Sequence, residues 1–392
     1  MLKGRQSHYL HLDLILMLVF FILVSSLAIY NAQQLEQYPD NFVVKQLIYY
    51  AIGIGVAISI QFVDLDQMYR TSFYLYLLGV VSLIILHFSP EAIARPVNGA
   101  KSWFNNKVPF ISIQPSEFAK IFFVLYLAYL IYRHQKKYRQ QTLRSDLILI
   151  GKMLLATVVP AFLIWKQPDL GTTLVFLFIT AVLIVLSGVD WKIIAVMFTS
   201  GVVAVVGAVL LIVNFPDFSE NVLRIEPHQI KRVTTWFDPS MQDSNDRYHI
   251  DLSLQTVGSG QITGKGMKSA QVQLPEAHTD FIFSIIGESF GFLGSTVVIL
   301  VFFLFLYKLV TLGMKVASHN PFASYVCYGI MALILIHTFQ NIGMTIGLMP
   351  ITGIPLLFIS YGGSTTLSTM IAYGIIYRIA VEQSKQEDFL FN

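Results

Sequence analysis

Four ionisable residues stand inside or at the edge of apolar runs where a charge is costly: Glu117, Lys120, Asp280 and Glu288. A carboxylate held away from water is suited to accepting a proton, and a nearby ammonium to balancing an anion. Glu117 and Lys120 are three residues apart and share one helix face, where they either neutralise each other or line a common cavity. Gln114, Pro115 and Ser116 precede them as a helix start, with Pro115 at or near the first helical position, and a helix N-terminus attracts anions. Upstream, Asn98, Gly99 and Ala100 form a turn that leads to Lys101 and Trp103, a cation and a ring that suit a phosphate beside a sugar. The alternative for Trp103 is an interfacial belt residue. His278, Thr279 and Asp280 stand directly before a long apolar run, so Thr279 or Asp280 either caps a helix or presents a reactive group.

Two further stretches break the apolar pattern. Gly258, Gly260, Gly264 and Gly266 form turns or a close backbone approach to phosphates, and no strand is predicted before them to make a dinucleotide fingerprint. Residues 351–364 read ITGIPLLFISYGGS, a broken helix of the kind tolerated at membrane depth only where it faces protein or a cavity. His337 reads as a satisfied interior histidine and Cys327 as a small core residue, which leaves no pair for a disulfide. The sequence holds no Cys/His zinc spacing and no nucleophile elbow.

The elements that position these residues are spans. The chain has 392 residues, 55% apolar and only 12% charged, where a soluble domain carries about 25% charged residues. Apolar windows fall at roughly 12–31, 44–63, 72–88, 116–132, 147–165, 169–187, 193–214, 281–307, 321–345 and 357–377, which predicts an all-α polytopic protein of about ten transmembrane helices in one domain, 1–392. The first run follows Lys3 and Arg5 and is too long for a signal-peptide core, so it is expected to be retained. With both termini in the cytoplasm, Lys3, Arg5, Arg70, Arg133, Lys136, Lys137, Arg139, Arg144, Lys192, Lys308, Lys315, Arg378 and Lys385 all face inward. The short outer loops then keep only Lys45, Arg95, Lys101, Lys107 and Lys166, as the positive-inside rule requires. The 133–144 run is expected to sit on anionic membrane lipids. Two outer segments, about 89–115 and 215–280, exceed mere connectors. The second carries Trp236, Phe237, Tyr248, Ile250, Leu252 and Leu254, and is expected to be a structured extracellular loop between helices 7 and 8. A net charge of +3 is too small to suggest a nucleic-acid partner, and no block of six like charges resembles a nucleic-acid arm.

Taken together, Lys101 to Phe104, QPSEFAK at 114–120, QPDLGTT at 167–173, PEAHTDFIF at 275–283 with Gly287, Glu288 and Gly291, and ISYGGS at 359–364 resemble the SEDS family. These are the shape, elongation, division and sporulation proteins that polymerise peptidoglycan. Gly353 to Pro355 and the 258–266 glycines look more like the elongation branch than the division branch, although Gln261 stands where the family pattern usually has a further glycine. The resemblance implies a ten-helix fold in a bacterial plasma membrane. It also implies transfer of disaccharide-pentapeptide units from lipid II to a growing glycan strand on the outer face, and a class B penicillin-binding protein as partner. Family behaviour adds a divalent cation, magnesium or manganese, without a ligand set.

The family's proposed catalytic aspartate falls on Asp280. An α-linked diphosphate is already a good leaving group, so forming a β linkage needs inversion and one base on the acceptor hydroxyl; no second carboxylic acid is called for. Lys101, Lys120 and a loop arginine would neutralise the departing polyprenyl diphosphate. Substrate contacts are expected from Trp103, Gln114, Ser116, Glu117, Asp169, His278, Thr279, Ser360 and Ser364. Glu288, about 12 Å of helical rise from Asp280, is expected to be a buried support. The rival is a flippase for the same lipid, against which stands the gathering of polar residues on the outer side and the lack of an inverted repeat.

Overall fold

A computed structural model of the chain describes residues 9–35, 40–91, 93–94, 101–105, 112–138, 142–214, 245–267 and 272–390. Asn98, Gly99, Ala100, Arg139, Trp236 and Phe237 lie outside the described residues. In chain order the helices are α1 (Leu12–Gln33), α2 (Phe42–Ile60), α3 (Leu65–Phe88), α4 (Pro115–Lys137), α5 (Leu143–Trp165), α6 (Leu170–Leu186) and α7 (Trp191–Asn214). They continue as α8 (Asn245–Ser259), α9 (Ile282–Val316), α10 (Pro321–Thr345) and α11 (Gly363–Leu390). A two-residue ribbon, β1 (Phe104–Asn105) with β2 (Ser112–Ile113), is antiparallel and leads into α4. Among the described residues eight helices are long and apolar enough to cross a membrane, and α6 is a shorter apolar helix. The chain is a polytopic membrane protein, since helices satisfy their own backbone where lipid cannot.

Each expected span has a helix, with corrections at its ends: α9 runs on to Val316 rather than 307, and α11 to Leu390 rather than 377. The third begins at Leu65 rather than near residue 72, because Gln67 Oε1 accepts from the Asp64 N–H at 3.2 Å and closes the first turn. The tenth begins at Gly363 rather than 357. Pro355 has no N–H to give, and residues 357–362 are instead held by side chains described below.

α4 and α10 are the interior helices, with two thirds of their most apolar windows buried inside the protein. α4 lies against α3 and α10, and α10 against α9 and α6, while α2 pairs with α11 and α1 with α9. α7 rests on α6 and leaves Val196, Phe198 and Val203 exposed, as suits a lipid-facing helix. α8 lies on α9, where Ser253 Oγ meets Ser284 Oγ at 2.7 Å and donates to Thr345 O at 2.8 Å.

α9 is kinked at Gly291 (φ 64°, ψ −163°). The kink frees carbonyls and amides that a straight helix would pair. The glycine-rich turn after α8 takes up both sets. Lys265 and Gly266 donate N–H to the carbonyls of Glu288 and Ser289 at 2.9 and 3.0 Å, and Phe292 and Leu293 donate to the carbonyls of Gln261 and Ile262 at 2.8 and 3.1 Å. A Cβ on Gly264 would lie 2.2 Å from Ser289 O, so the approach admits only glycine. The amides of Lys265 and Gly266 are thus spent on a helix, which favours the turn over the phosphate approach as the reading of these glycines.

Candidate active site

The backbone of 350–362 is the hub. Its carbonyls are taken by side chains from three helices. Ser25 on α1 donates to Ile359 O at 2.7 Å, and Tyr50 on α2 donates to Phe358 O. Gln340 on α10 donates to Pro350 O at 3.0 Å, and Asn341 to Ile354 O at 2.9 Å. His337, one turn before Asn341, meets Pro355 O through Nδ1 at 2.9 Å. Such pairs restore the bonds a helix would have made, which is why non-helical backbone survives inside the bundle.

The segment before α9 is bound to this hub. Ser360 Oγ donates to Thr279 O at 2.7 Å and accepts from the Leu356 N–H at 2.8 Å, and the Tyr361 N–H donates to His278 O at 2.9 Å. His278 stacks on Phe42 with ring centroids 4.2 Å apart. Thr279 Oγ1 donates within its own turn, to Glu276. Asn341 Nδ2 also donates to Asp280 O at 2.7 Å, so one amide pins both Asp280 and Ile354.

Asp280 is thereby fixed by its backbone while its carboxylate makes no hydrogen bond among the described residues. It does not cap α9: the cap position is Phe281, and no side chain accepts there. The carboxylate is half-buried beside Gly353, whose φ is 67° and where a Cβ would stand 3.3 Å from Asp280 Oδ2. Burial pushes its pKa up to about 7, helped by the nearby charges of Glu276 and Asp169. Asp169 caps α6 through the Thr172 N–H at 2.8 Å, and burial raises its pKa as well. α6 reaches the hub at Gly171, where a Cβ would lie 2.7 Å from Thr352 O.

Behind this lies a buried triad. Lys120 Nζ donates to Glu117 Oε1 at 2.8 Å and to His337 Nε2 at 3.0 Å, a geometry that leaves the proton of His337 on Nδ1, facing Pro355 O. Ser368 Oγ on α11 donates to Glu117 Oε2 at 3.4 Å. Lys120 is 1% exposed. Its ammonium is occupied, as is that of Lys101, which donates to Ser89 O and, at 3.3 Å, to His87 O at the end of α3. The Gln114 N–H donates to Ser364 Oγ at 2.9 Å, so α4 and α11 start together. Ser116 is buried with no partner for Oγ among the described residues. Trp103 is half-buried just before β1. Glu288 is fully buried and pairs with Lys265 at 2.8 Å.

The structure thus joins Asp280, Asp169, His278, Thr279, Ser360 and the Glu117–Lys120 pair around one segment, while Lys101 bonds at the end of α3 and Glu288 pairs with Lys265. The structure adds His337 and Asn341 on α10, together with Tyr50 and Gln46 on α2, Gln46 Oε1 accepting from the Gly362 N–H at 3.3 Å. Each pair is spaced by four residues in an apolar helix, the one signal that could have found them. Among the described residues no three His, Cys, Asp or Glu side chains converge on a metal position.

Comparisons with known proteins fit this geometry. The model of the FtsW, RodA and SpoVE cell cycle proteins matches residues 6–385. A probable peptidoglycan glycosyltransferase FtsW of Halorhodospira halophila is 31% identical over 93% of this chain and 88% of its own length. Its counterpart in Pseudoalteromonas atlantica is 32% identical over 95% and 72%. Among solved structures, a chain of a peptidoglycan synthase complex that coordinates polymerization and crosslinking superposes with a TM-score of 0.75 at 23% identity, over 94% of this chain and 97% of that one. The rod shape determining protein RodA of Thermus thermophilus gives a TM-score of 0.64 at 23% identity, over 93% and 96%. Matched along nearly its whole length, and folded as those structures are, this chain belongs to the SEDS family of bacterial multi-pass membrane proteins.

Proposed function

We propose that the chain is a peptidoglycan glycosyltransferase that polymerises lipid II on the outer face of the plasma membrane, with Asp280 as the general base. The observation that carries this is Asp280 itself: a carboxylate unbonded among the described residues, on a backbone clamped by Asn341, with a pKa near 7. A base poised near the operating pH is half deprotonated yet still basic enough to draw a proton from a sugar hydroxyl. Inversion follows: the acceptor oxygen forms its bond to the anomeric carbon as the polyprenyl diphosphate leaves with the bonding pair, and Asp280 takes the hydroxyl proton.

Asp169 and the Glu117–Lys120–His337 triad are positioning groups in this reading, because their charges are already engaged. Trp103 stacks on the sugar or lipid-phosphate surface. The relatives' names support glycosyl transfer, and the likeness to a synthase complex supports a class B penicillin-binding protein as crosslinking partner. The elongation role rests on Gly353 to Pro355 and the 258–266 glycines, whereas the curated relatives carry the division name FtsW. Depletion that rounds the cells supports elongation, and filaments assign division. The enzymatic reading is tested by reconstitution with the partner and lipid II while a β-lactam blocks crosslinking. Glycan polymer supports it; movement of lipid II between leaflets without polymer would leave the flippase.

A further inference from the structure

A second polar site lies away from the hub, where α3, α4 and α5 border a half-open cavity of about 510 Å³. That is within the ~300–1,000 Å³ of small-molecule pockets. Its floor is apolar, formed by Tyr76, Tyr126, Leu155 and Val159, and its polar wall carries Arg133, His134, Lys137 and Lys152. None of the three cations pairs with a carboxylate among the described residues, and the neighbouring Asp146 accepts instead from the Asp190 N–H at 3.0 Å. Lys152 stands nine residues into α5, about 13 Å of rise from its start. A lysine that deep requires an anion or a route back to the surface.

Two details distinguish a built site from a basic surface. Arg133 is held in place, donating to Tyr129 Oη at 2.5 Å with its guanidinium 5.7 Å from that ring's centroid. His134, 5% exposed, meets Ser145 Oγ through Nε2 at 3.1 Å, but its Nδ1 is buried with no partner among the described residues. A buried polar atom without a partner is costly, and His134 is one of the residues that line the cavity.

We propose that this cavity binds one anionic phospholipid, its phosphate between Arg133, Lys137, Lys152 and His134 and an acyl chain along Leu155 and Val159. The charge selects the headgroup, and the apolar floor, with Leu155 and Val159 both exposed, selects a lipid over free phosphate. The positive-inside rule accounts for basic residues at helix ends, but neither for a lysine deep in α5 nor for an empty histidine nitrogen beside it. The site is independent of glycosyl transfer.

The test uses the full chain, delipidated in detergent and offered phosphatidylglycerol and phosphatidylcholine of identical chains, with bound lipid counted by native mass spectrometry. The wild type is expected to retain one phosphatidylglycerol in preference. R133Q/K137Q/K152Q should lower that preference by roughly a hundredfold, from about a factor of five per basic residue near an anionic headgroup. V159W, which fills the channel and leaves the cations, should lose the lipid too, with size-exclusion profiles unchanged. K136Q/R144Q/K192Q removes as much charge outside the cavity and should retain it. Equal loss in that comparator would overturn the site in favour of diffuse attraction, and displacement by millimolar inorganic phosphate would overturn the lipid. Retention by the first triple variant would overturn the proposal outright.

Discussion

Asp280 shows how one side chain can be fixed and yet left chemically available. Its backbone carbonyl is bound by Asn341, and its carboxylate meets the Cα side of Gly353 and no donor among the described residues. Burial and the acids Glu276 and Asp169 raise its pKa to about 7. A folded-state value above the ordinary carboxylate range has two consequences of opposite sign. The base becomes active as pH rises through about 7, so the polymerisation rate should climb across that window and level off above it. The same charge costs the fold stability once pH exceeds the unfolded carboxylate value, so Asp280→Asn should melt no lower than the parent at pH 8. It should nonetheless lose on the order of 10²–10⁴ in rate, since an amide takes no proton at neutral pH. Asn caps helices as well as Asp, so a variant that keeps near-normal turnover would remove Asp280 from the mechanism.

Elements are held here by partners far apart in sequence, which is where reading the sequence stops. The helices were legible because apolar windows are local, and so were Pro115 at the start of α4 and the Glu117–Lys120 pair, three residues apart. Nothing local announces that Lys265 completes Glu288 across 23 residues, or that the 260–266 turn fills a break in α9. The glycines were visible, but not the helix they approach. The hub at 350–362 was legible as a break, and His337 as a satisfied interior histidine, but the donors Ser25, Tyr50 and Asn341 were not. This gives an element-scale prediction. Lys265→Met strands the Glu288 charge in the interior and should cost about 3 kcal/mol. Adding Glu288→Gln to the same chain should recover much of that, as read by thermal melting in detergent. Gly264→Ala must place a Cβ against Ser289 O at a φ of 80°, and should cost on the order of 2–4 kcal/mol with no such rescue. If the Lys265 and Glu288 effects simply add, the two residues do not act as a pair.

At the scale of the molecule, the two polar sites lie at opposite ends of α4. Its first turns carry Glu117 and Lys120 beside the hub, and its last turns carry Arg133, His134 and Lys137 beside the basic cavity. A helix of 23 residues rises about 34 Å, enough to cross the hydrocarbon, so the two ends address opposite membrane surfaces. Orientation then decides which end does chemistry on which side. Basic residues gather at the end with Arg133, Lys192 and Lys315, which the positive-inside rule retains in the cytoplasm and which would put Asp280 outside, where glycan is assembled. The chain's one cysteine, Cys327, is buried and will not report. Single cysteines at Ser318, in the exposed turn between α9 and α10, and at Gln273, exposed ahead of Asp280, therefore give a clean readout with a membrane-impermeant thiol reagent on intact cells. Gln273→Cys should label at once, and Ser318→Cys only after the membrane is opened. The reverse pattern would turn the bundle over, place Asp280 in the cytoplasm, and remove the outer-face polymerase reading together with it.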